Sequence, residues 1–186
     1  MDFHFELQPT LRGESIELRP LRPEDYDAVY AAASDPLIWE QHPESDRWTE
    51  PVFRQFFRGA MESGGAFAIV DRASGRIIGS SRYWNYKPEE SEIEVGWTFL
   101  ERKYWGGATN REIKRLMLRH AFRFVERVIL IVGEHNFRSQ RAVGKIGGRR
   151  ERMEPRPSPG GEQRMNVILG IDRVAFERSA LAAGTT

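Results

Sequence analysis

Two features of this 186-residue sequence could do chemistry: a pair of glutamates one residue apart in a strand-like stretch, and a glycine pair just ahead of a helical one. In Glu92 to Leu100 (EIEVGWTFL) apolar and polar residues alternate. As an extended strand it would put Ile93, Val95, Trp97 and Phe99 on one face and Glu92, Glu94, Gly96 and Thr98 on the other. Two carboxylates then point the same way. The plain alternative for either is a solvated or salt-bridged strand glutamate.

In Lys103 to Glu112 (KYWGGATNRE) a strand ends, two glycines permit close backbone approach, and a helix begins at once. Free N–H groups there, the positive end of the helix dipole and the neighbouring Arg102, Lys103 and Arg111 suit a phosphate without a metal. A ligand-free glycine turn is the alternative. Neither G-x-x-x-x-G-K-[ST] nor G-x-G-x-x-G is present, which lowers the rank of ATP and NAD.

The elements that must position these residues follow from periodicity. Ser15 to Arg19 alternates as a strand, and Tyr26, Val29, Tyr30 and Ala33 form a helical stripe ended by Asp35 and Pro36. A second helix opens at Thr49, carries Val52, Phe53, Phe56, Phe57 and Ala60, and stops at Gly64 and Gly65. Ala66–Asp71, Arg76–Tyr86 and Glu92–Leu100 read as an antiparallel meander. The spacing of Ile113, Leu116, Met117, Ala121 and Phe124 predicts a helix running out to Arg127. The unbroken VILIV of Val128 to Val132 predicts a strand covered on both faces. Asn136 caps a short helix that Gly147 and Gly148 end, and strands at Arg149–Met153 and Gln163–Ile171 close the sheet across a Pro-rich loop from Pro155 to Gly161. Residues 180–186 are expected to fray.

Composition narrows the function classes. The length suits one domain (1–186, core about 11–171), and 40% hydrophobic with 30% charged residues is a globular balance. A net charge of +1 from 28 basic and 27 acidic residues supplies no global field toward nucleic acid or an anionic membrane. Without cysteine there is no thiolate nucleophile or disulfide, which a reducing compartment tolerates. With no apolar leader and no membrane-length run, the reading is a cytoplasmic protein without membrane partners.

Three segments together resemble the GNAT superfamily of N-acetyltransferases. Lys103, Gly106 and Ala108 fall on its pyrophosphate-loop pattern of Gln or Arg, two residues, Gly, any residue, then Gly or Ala, with Lys as a departure. Asn136-Phe-Arg-Ser139 followed by Lys145-Ile-Gly147 is similar to the N-x-x-S…K-x-G signature of the RimJ/RimL-like branch. Glu94-Val-Gly96-Trp97 resembles that branch's E-[IV]-G-[YW] strand. The likeness spans about Leu11 to Ile171; Gly148 in place of Phe, and Asn110-Arg111 in place of Ala-Thr, depart from it.

That resemblance implies an α/β fold with a mixed, mostly antiparallel sheet splayed at its centre and helices on both faces. It implies acetyl-CoA as co-substrate and no metal. Backbone groups of Trp97, Thr98 and Phe99 would hold pantetheine, with Asn136 and Ser139 beside it. Lys103, Trp105, Gly106, Gly107, Ala108, Thr109 and Asn110 would form the pyrophosphate end. Glu94 would be the base, directly or through water, with Glu92 second. Where many relatives carry a proton-donating Tyr, this chain has Val143, so Ser139 inherits that role; a first-turn helix serine, and for Asn136 a simple cap, are the plain alternatives. Trp39 and Trp84, with Tyr83 and Tyr86, would wall the acceptor pocket or serve as aromatic core. His42 could shuttle a proton or be an ordinary loop histidine. The cluster Arg138, Arg141, Arg149, Arg150 and Arg152 could meet a phosphate or form a solvated face. The acceptor would be a primary amine, on a small molecule or a protein N-terminus. The competing expectations are a non-catalytic acyl-CoA-binding sensor or scaffold and, more weakly, an RNA-binding protein; a homodimer stays open.

Overall fold

The computed structural model describes residues 5–158, 161–179 and 181. Alternating stretches of the sequence pair into one eight-stranded sheet in the order β1-β2-β3-β4-β5-β6-β8-β7. The strands are β1 (Leu11–Arg12), β2 (Ile16–Pro20), β3 (Ala66–Asp71), β4 (Ile77–Lys87), β5 (Glu92–Leu100), β6 (Arg127–Gly133), β7 (Arg149–Pro157) and β8 (Gln163–Asp172). Every neighbouring pair is antiparallel except β5 and β6, because a helical crossover joins those two.

Two apolar layers sandwich the sheet. On one face α1 (Tyr26–Ala33) and α2 (Glu50–Glu62) bury Val29, Ala33, Phe53 and Ala60 against Ala66, Ala68 and Phe99. On the other, α3 (Ala108–Ala121) buries Ile113, Met117 and Leu118 against Phe67, Ile69, Ile93 and Val95. That second layer also takes in Val143 and Ile146 at the end of α4 (Phe137–Lys145), and Phe176 of α5 (Arg173–Glu177), an element not foreseen from sequence. Burying such aliphatic and aromatic side chains contributes roughly 1.5–3 kcal/mol each, which is what holds the sheet flat against its helices.

α3 is pinned from its second turn. The buried Glu112 carboxylate accepts from the backbone N–H groups of Glu14 and Ser15 and from the Ser15 hydroxyl, so the helix start is tied to the β1–β2 turn. At its other end Tyr83 donates its hydroxyl to the Met117 carbonyl. Both anchors fix where the N-terminus of α3 points.

Three sequence expectations need correction. α3 ends at Ala121, and Phe122 to Phe124 turn back toward the helix through N–H bonds to Leu118, His120 and Ala121, so Phe124 is no longer helical. β7 continues to Pro157, because its ladder with β8 runs from Arg149 to Pro157, and the loop beyond it is shorter than the Pro-rich stretch implied. Thr49 stands at the N-cap position of α2 without a side-chain cap bond. Apart from Leu181, the expected fraying of 180–186 falls outside the described residues, none of whose helices is long and apolar enough to cross a membrane.

Candidate active site

The parallel pair at the centre of the sheet is joined only briefly. β5 and β6 pair at Glu92 with Arg127, Ile93 with Val128 and Glu94 with Ile129, and then part. The reason lies in β5. Between Gly96 and Phe99 the ladder with β4 shifts register, Ser81 of β4 opposing both Trp97 and Thr98 of β5, and Trp97 takes a left-handed φ of 51°. A non-glycine residue there is strained and marks a bulge that bends its strand.

The bulge overturns the simple alternation read from sequence. Ile93 and Val95 share a face as expected, the one toward α3, but Phe99 lies in the opposite layer against Trp39 and Phe53. Thr98, expected beside Glu94, instead meets α3 through the Lys114 Nζ at 2.6 Å. Trp97 leaves the Val95 face to pack its ring near Trp84 and under the Arg82 guanidinium.

A cleft opens where the strands part. Its larger lobe, about 590 Å³, is lined by Glu94 to Thr98 of β5, Leu130 to Gly133 of β6, Asn136 and Ser139 of α4, and Trp39, His42 and Arg47 from the loop between α1 and α2. A second lobe of about 420 Å³ shares Trp39, His42, Thr98, Asn110, Asn136 and Ser139 and continues to Trp105, Gly106, Gly107 and Arg111. The two lobes form one passage from the start of α3 to Glu94.

At the α3 end, Gly106 has a φ of +72° and Gly107 stands at the N-cap with no side-chain cap bond, so the first N–H groups of the helix lack an internal partner. Trp105 is fixed by its Nε1–H to the Leu100 carbonyl at 3.0 Å and by the Arg138 guanidinium 4.2 Å above its ring. At the other end Glu94 is buried, with Oε2 lacking any hydrogen bond and the nearest cation, Arg156 Nη1, 3.7 Å away. Burial pushes its carboxyl up to about 7, against the opposing pull of Arg156 and Arg82.

Between these ends sits Lys114, one helical turn beyond Asn110 on α3. It is buried, pairs with no carboxylate among the described residues, and its burial lowers its ammonium to about 7. Asn136 is buried and accepts the Ser139 N–H at 3.1 Å, so it does cap α4 while lining both lobes. His42 lines both lobes too. Its Nδ1 accepts the Glu44 N–H at 3.0 Å, and burial together with Arg47 holds it well below the ordinary histidine range, hence neutral.

Of the residues singled out from sequence, the passage gathers Glu94, Trp97, Thr98, Phe99, Trp105, Gly106, Gly107, Asn110, Asn136, Ser139 and Trp39. It leaves others outside. Glu92 is ion-paired with Arg127 at 2.9 Å and Lys87 at 3.7 Å, and Lys103 reaches Glu101 at 3.1 Å. Trp84 is 42% exposed, Tyr83 is core, and Ala108 and Thr109 line neither lobe. Arg138 and Arg141 border the α3 end, whereas Arg149, Arg150 and Arg152 lie along β7 away from it. Sequence reasoning missed Lys114, Arg47, Arg156 and Arg164. Lys114 had a signal, its i,i+4 spacing from Asn110 beside an apolar stripe; the three arginines come from a loop and two strands with no local pattern.

The profile of the family described as Acetyltransferase (GNAT) domain matches residues 15–149. The chain belongs to the GNAT acetyltransferase family. This N-acetyltransferase is similar in fold to a GCN5-related N-acetyltransferase from Brucella melitensis, at TM-score 0.81 and 21% identity over 96% of this chain and 84% of that one. It is similar to a GNAT-family acetyltransferase from Bacillus anthracis, at TM-score 0.71 and 24% identity over 88% and 98%. It also resembles Mycobacterium smegmatis RimJ, a structure holding CoA-disulfide, at TM-score 0.71 and 20% identity over 95% and 94%. A search of curated proteins returned no match to the acetyltransferase.

Proposed function

We propose that this acetyltransferase moves an acetyl group from acetyl-CoA to a primary amine by direct aminolysis of the thioester, and that it is of the RimJ/RimL-like type. One observation carries the reading. The sheet parts beyond Glu94, and the resulting passage has uncapped helix N–H groups at one end and, at the other, a buried carboxylate whose Oε2 has no hydrogen bond. The residues fit the co-substrate. Gly106 to Asn110 would hold a pyrophosphate at the α3 start, and the unpaired strand edges beyond Glu94 and Ile129 would take an extended arm as a strand takes its neighbour. Bound there, acetyl-CoA supplies an activated acetyl thioester.

The chain's own residues do the rest. Glu94, with its affinity for protons raised to about 7, takes the proton of the incoming ammonium at neutral pH. The amine nitrogen bonds to the acetyl carbon, the carbon–sulfur bond breaks, the Ser139 hydroxyl hands a proton to sulfur, and the second proton shed by the nitrogen restores that hydroxyl. Trp39, His42 and Arg47 of the loop between α1 and α2 form one wall of the passage. No residue becomes acylated, in keeping with a chain that has no cysteine.

The alternative, an acyl-CoA-binding module without turnover, draws on Val143 standing where relatives carry a proton-donating Tyr. One experiment separates them. Calorimetry with CoA and acetyl-CoA, followed by thiol release over a panel of amines, is expected to give binding and acceptor-dependent CoA release that falls sharply in Ser139→Ala. Binding without release on any amine favours the module, and absence of measurable affinity for either nucleotide sinks both.

A further inference from the structure

The lobe beside Glu94 has a charge pattern that the transfer reaction itself does not require. Its lining carries the guanidiniums of Arg47, Arg156 and Arg164 and the amine of Lys114, against the carboxylates of Glu44 and Glu94. The nearest carboxylates of the two rim arginines, Glu154 for Arg156 at 2.8 Å and Glu162 for Arg164 at 3.2 Å, do not line the lobe, though Arg156 also stands 3.7 Å from Glu94, which does.

Two buried arginines are incompletely satisfied. Arg47 is 5% exposed, with its guanidinium 5.1 Å from the Trp39 ring and 4.7 Å from Phe56. It is ion-paired with Glu44, yet its Nε has no acceptor. Arg82, 6% exposed on β4, stacks over Trp97 and Phe56 on the same side of the sheet and has neither a hydrogen bond nor an ion pair among the described residues; its Nε too is orphaned. A buried guanidinium without an anion is costly, and native interiors rarely leave one so. Glu94, which lines the same lobe as Arg47, has an Oε2 that lacks a donor.

From this arrangement we infer that the acceptor is a small zwitterionic amine, an ammonium and an anionic group on one molecule, with Glu94 receiving the ammonium and the arginines around Arg47 receiving a carboxylate or phosphate. The inference rests on the acetyl-transfer reading and deepens it by naming the acceptor's chemistry. Guanidinium forks match both anions bidentately. A simple polyamine would bring only positive charge to a wall of arginines, and it would leave Arg47 as unsatisfied as before.

The test compares matched amines with the full chain and acetyl-CoA: serine against serinamide, 3-aminopropyl phosphate against 1-aminopropane, and spermidine. At least one member that carries the anionic group is expected to exceed the partner lacking it in kcat/KM tenfold or more, and the two pairs tell carboxylate from phosphate. Arg47→Gln is expected to collapse that ratio at least tenfold, and Arg156→Gln, at the more exposed rim, to do so in part if the first variant folds poorly. A second readout needs no turnover. Calorimetry on the unloaded protein should show N-acetylserine binding at least tenfold tighter than N-acetylserinamide, or N-acetylated 3-aminopropyl phosphate tighter than N-propylacetamide by the same margin. Serinamide, 1-aminopropane or spermidine turning over as well as the anionic amines would overturn the acceptor class while leaving the transfer reaction standing. A neutral peptide N-terminus outperforming them would do the same. If no amine releases CoA, the transfer reading fails, and equal affinity within both product pairs then overturns this inference on its own.

Discussion

Replacing Glu94 by Gln should disable the enzyme and stabilise the fold at once. Glu94 is buried, and its carboxyl is raised from 4.5 to about 7, which corresponds to roughly 3–4 kcal/mol between its two protonation states. Because the folded value is the higher one, the native state binds the proton more tightly than the unfolded chain. The carboxyl therefore adds to stability below about pH 4.5, and that contribution is lost as pH rises toward 7. Above 7 the native state carries an ionised, buried and incompletely paired carboxylate. Gln has the same shape and cannot ionise. In urea titrations the variant should match wild type near pH 4.5 and exceed it at pH 8 by up to roughly 3 kcal/mol, a figure that already includes the pull of Arg156 and Arg82. In thiol-release kinetics wild-type kcat should rise with pH through about 7, and the variant should lose that limb and about 10²–10⁴-fold of rate. A variant that keeps kcat within threefold with the same limb, or that is less stable than wild type at pH 8, would refute the assignment of Glu94 as a strained, buried base.

Other perturbations follow from the same site. Lys114 is lowered to about 7 by burial, so the unfolded chain binds its proton more tightly between pH 7 and 10.5 and wild-type stability should climb with pH over that window; Lys114→Met should be the more stable protein at pH 6 by a few kcal/mol, with the difference shrinking by pH 10 in chemical denaturation. Ser139→Ala should lower kcat at least tenfold with little change in acetyl-CoA affinity, since the backbone N–H that Asn136 caps is untouched. Gly106→Ala forces a side chain into a φ of +72°, costing about 1 kcal/mol or more locally, and should weaken CoA binding measured by calorimetry severalfold before it lowers the melting temperature appreciably.

Most of the fold was legible because periodicity records burial. The helical stripes of α1 and α2, the meander from β3 to β5 and the continuous apolar run of β6 all stand where the spacing put them. The bulge was not legible. Alternation assumes an unbroken pleat, and nothing in EIEVGWTFL announces that Trp97 adopts a left-handed backbone and throws Thr98 and Phe99 onto exchanged faces. Glu94 and Glu92 show the same limit from another side. The strand pattern made them equivalent, but Arg127 from β6 neutralises Glu92, while Glu94 lies where β6 departs and stays without a full partner. Such differences arise from long-range pairing, to which local sequence is blind. Arg47, Arg156 and Arg164 were hidden for the same reason, each reaching the lobe from a different part of the chain.

The brief junction of β5 with β6 also bears on how amide protons trade with solvent. Three residue pairs tie these neighbours, so the backbone groups beyond them sit mid-sheet yet lack a ladder partner on that side. A deuterium map of the free protein would show a fast-exchanging line through the centre of an otherwise slow sheet. Anything that lies along that line as a surrogate strand would extinguish it, joining two half-sheets into a single cooperative body.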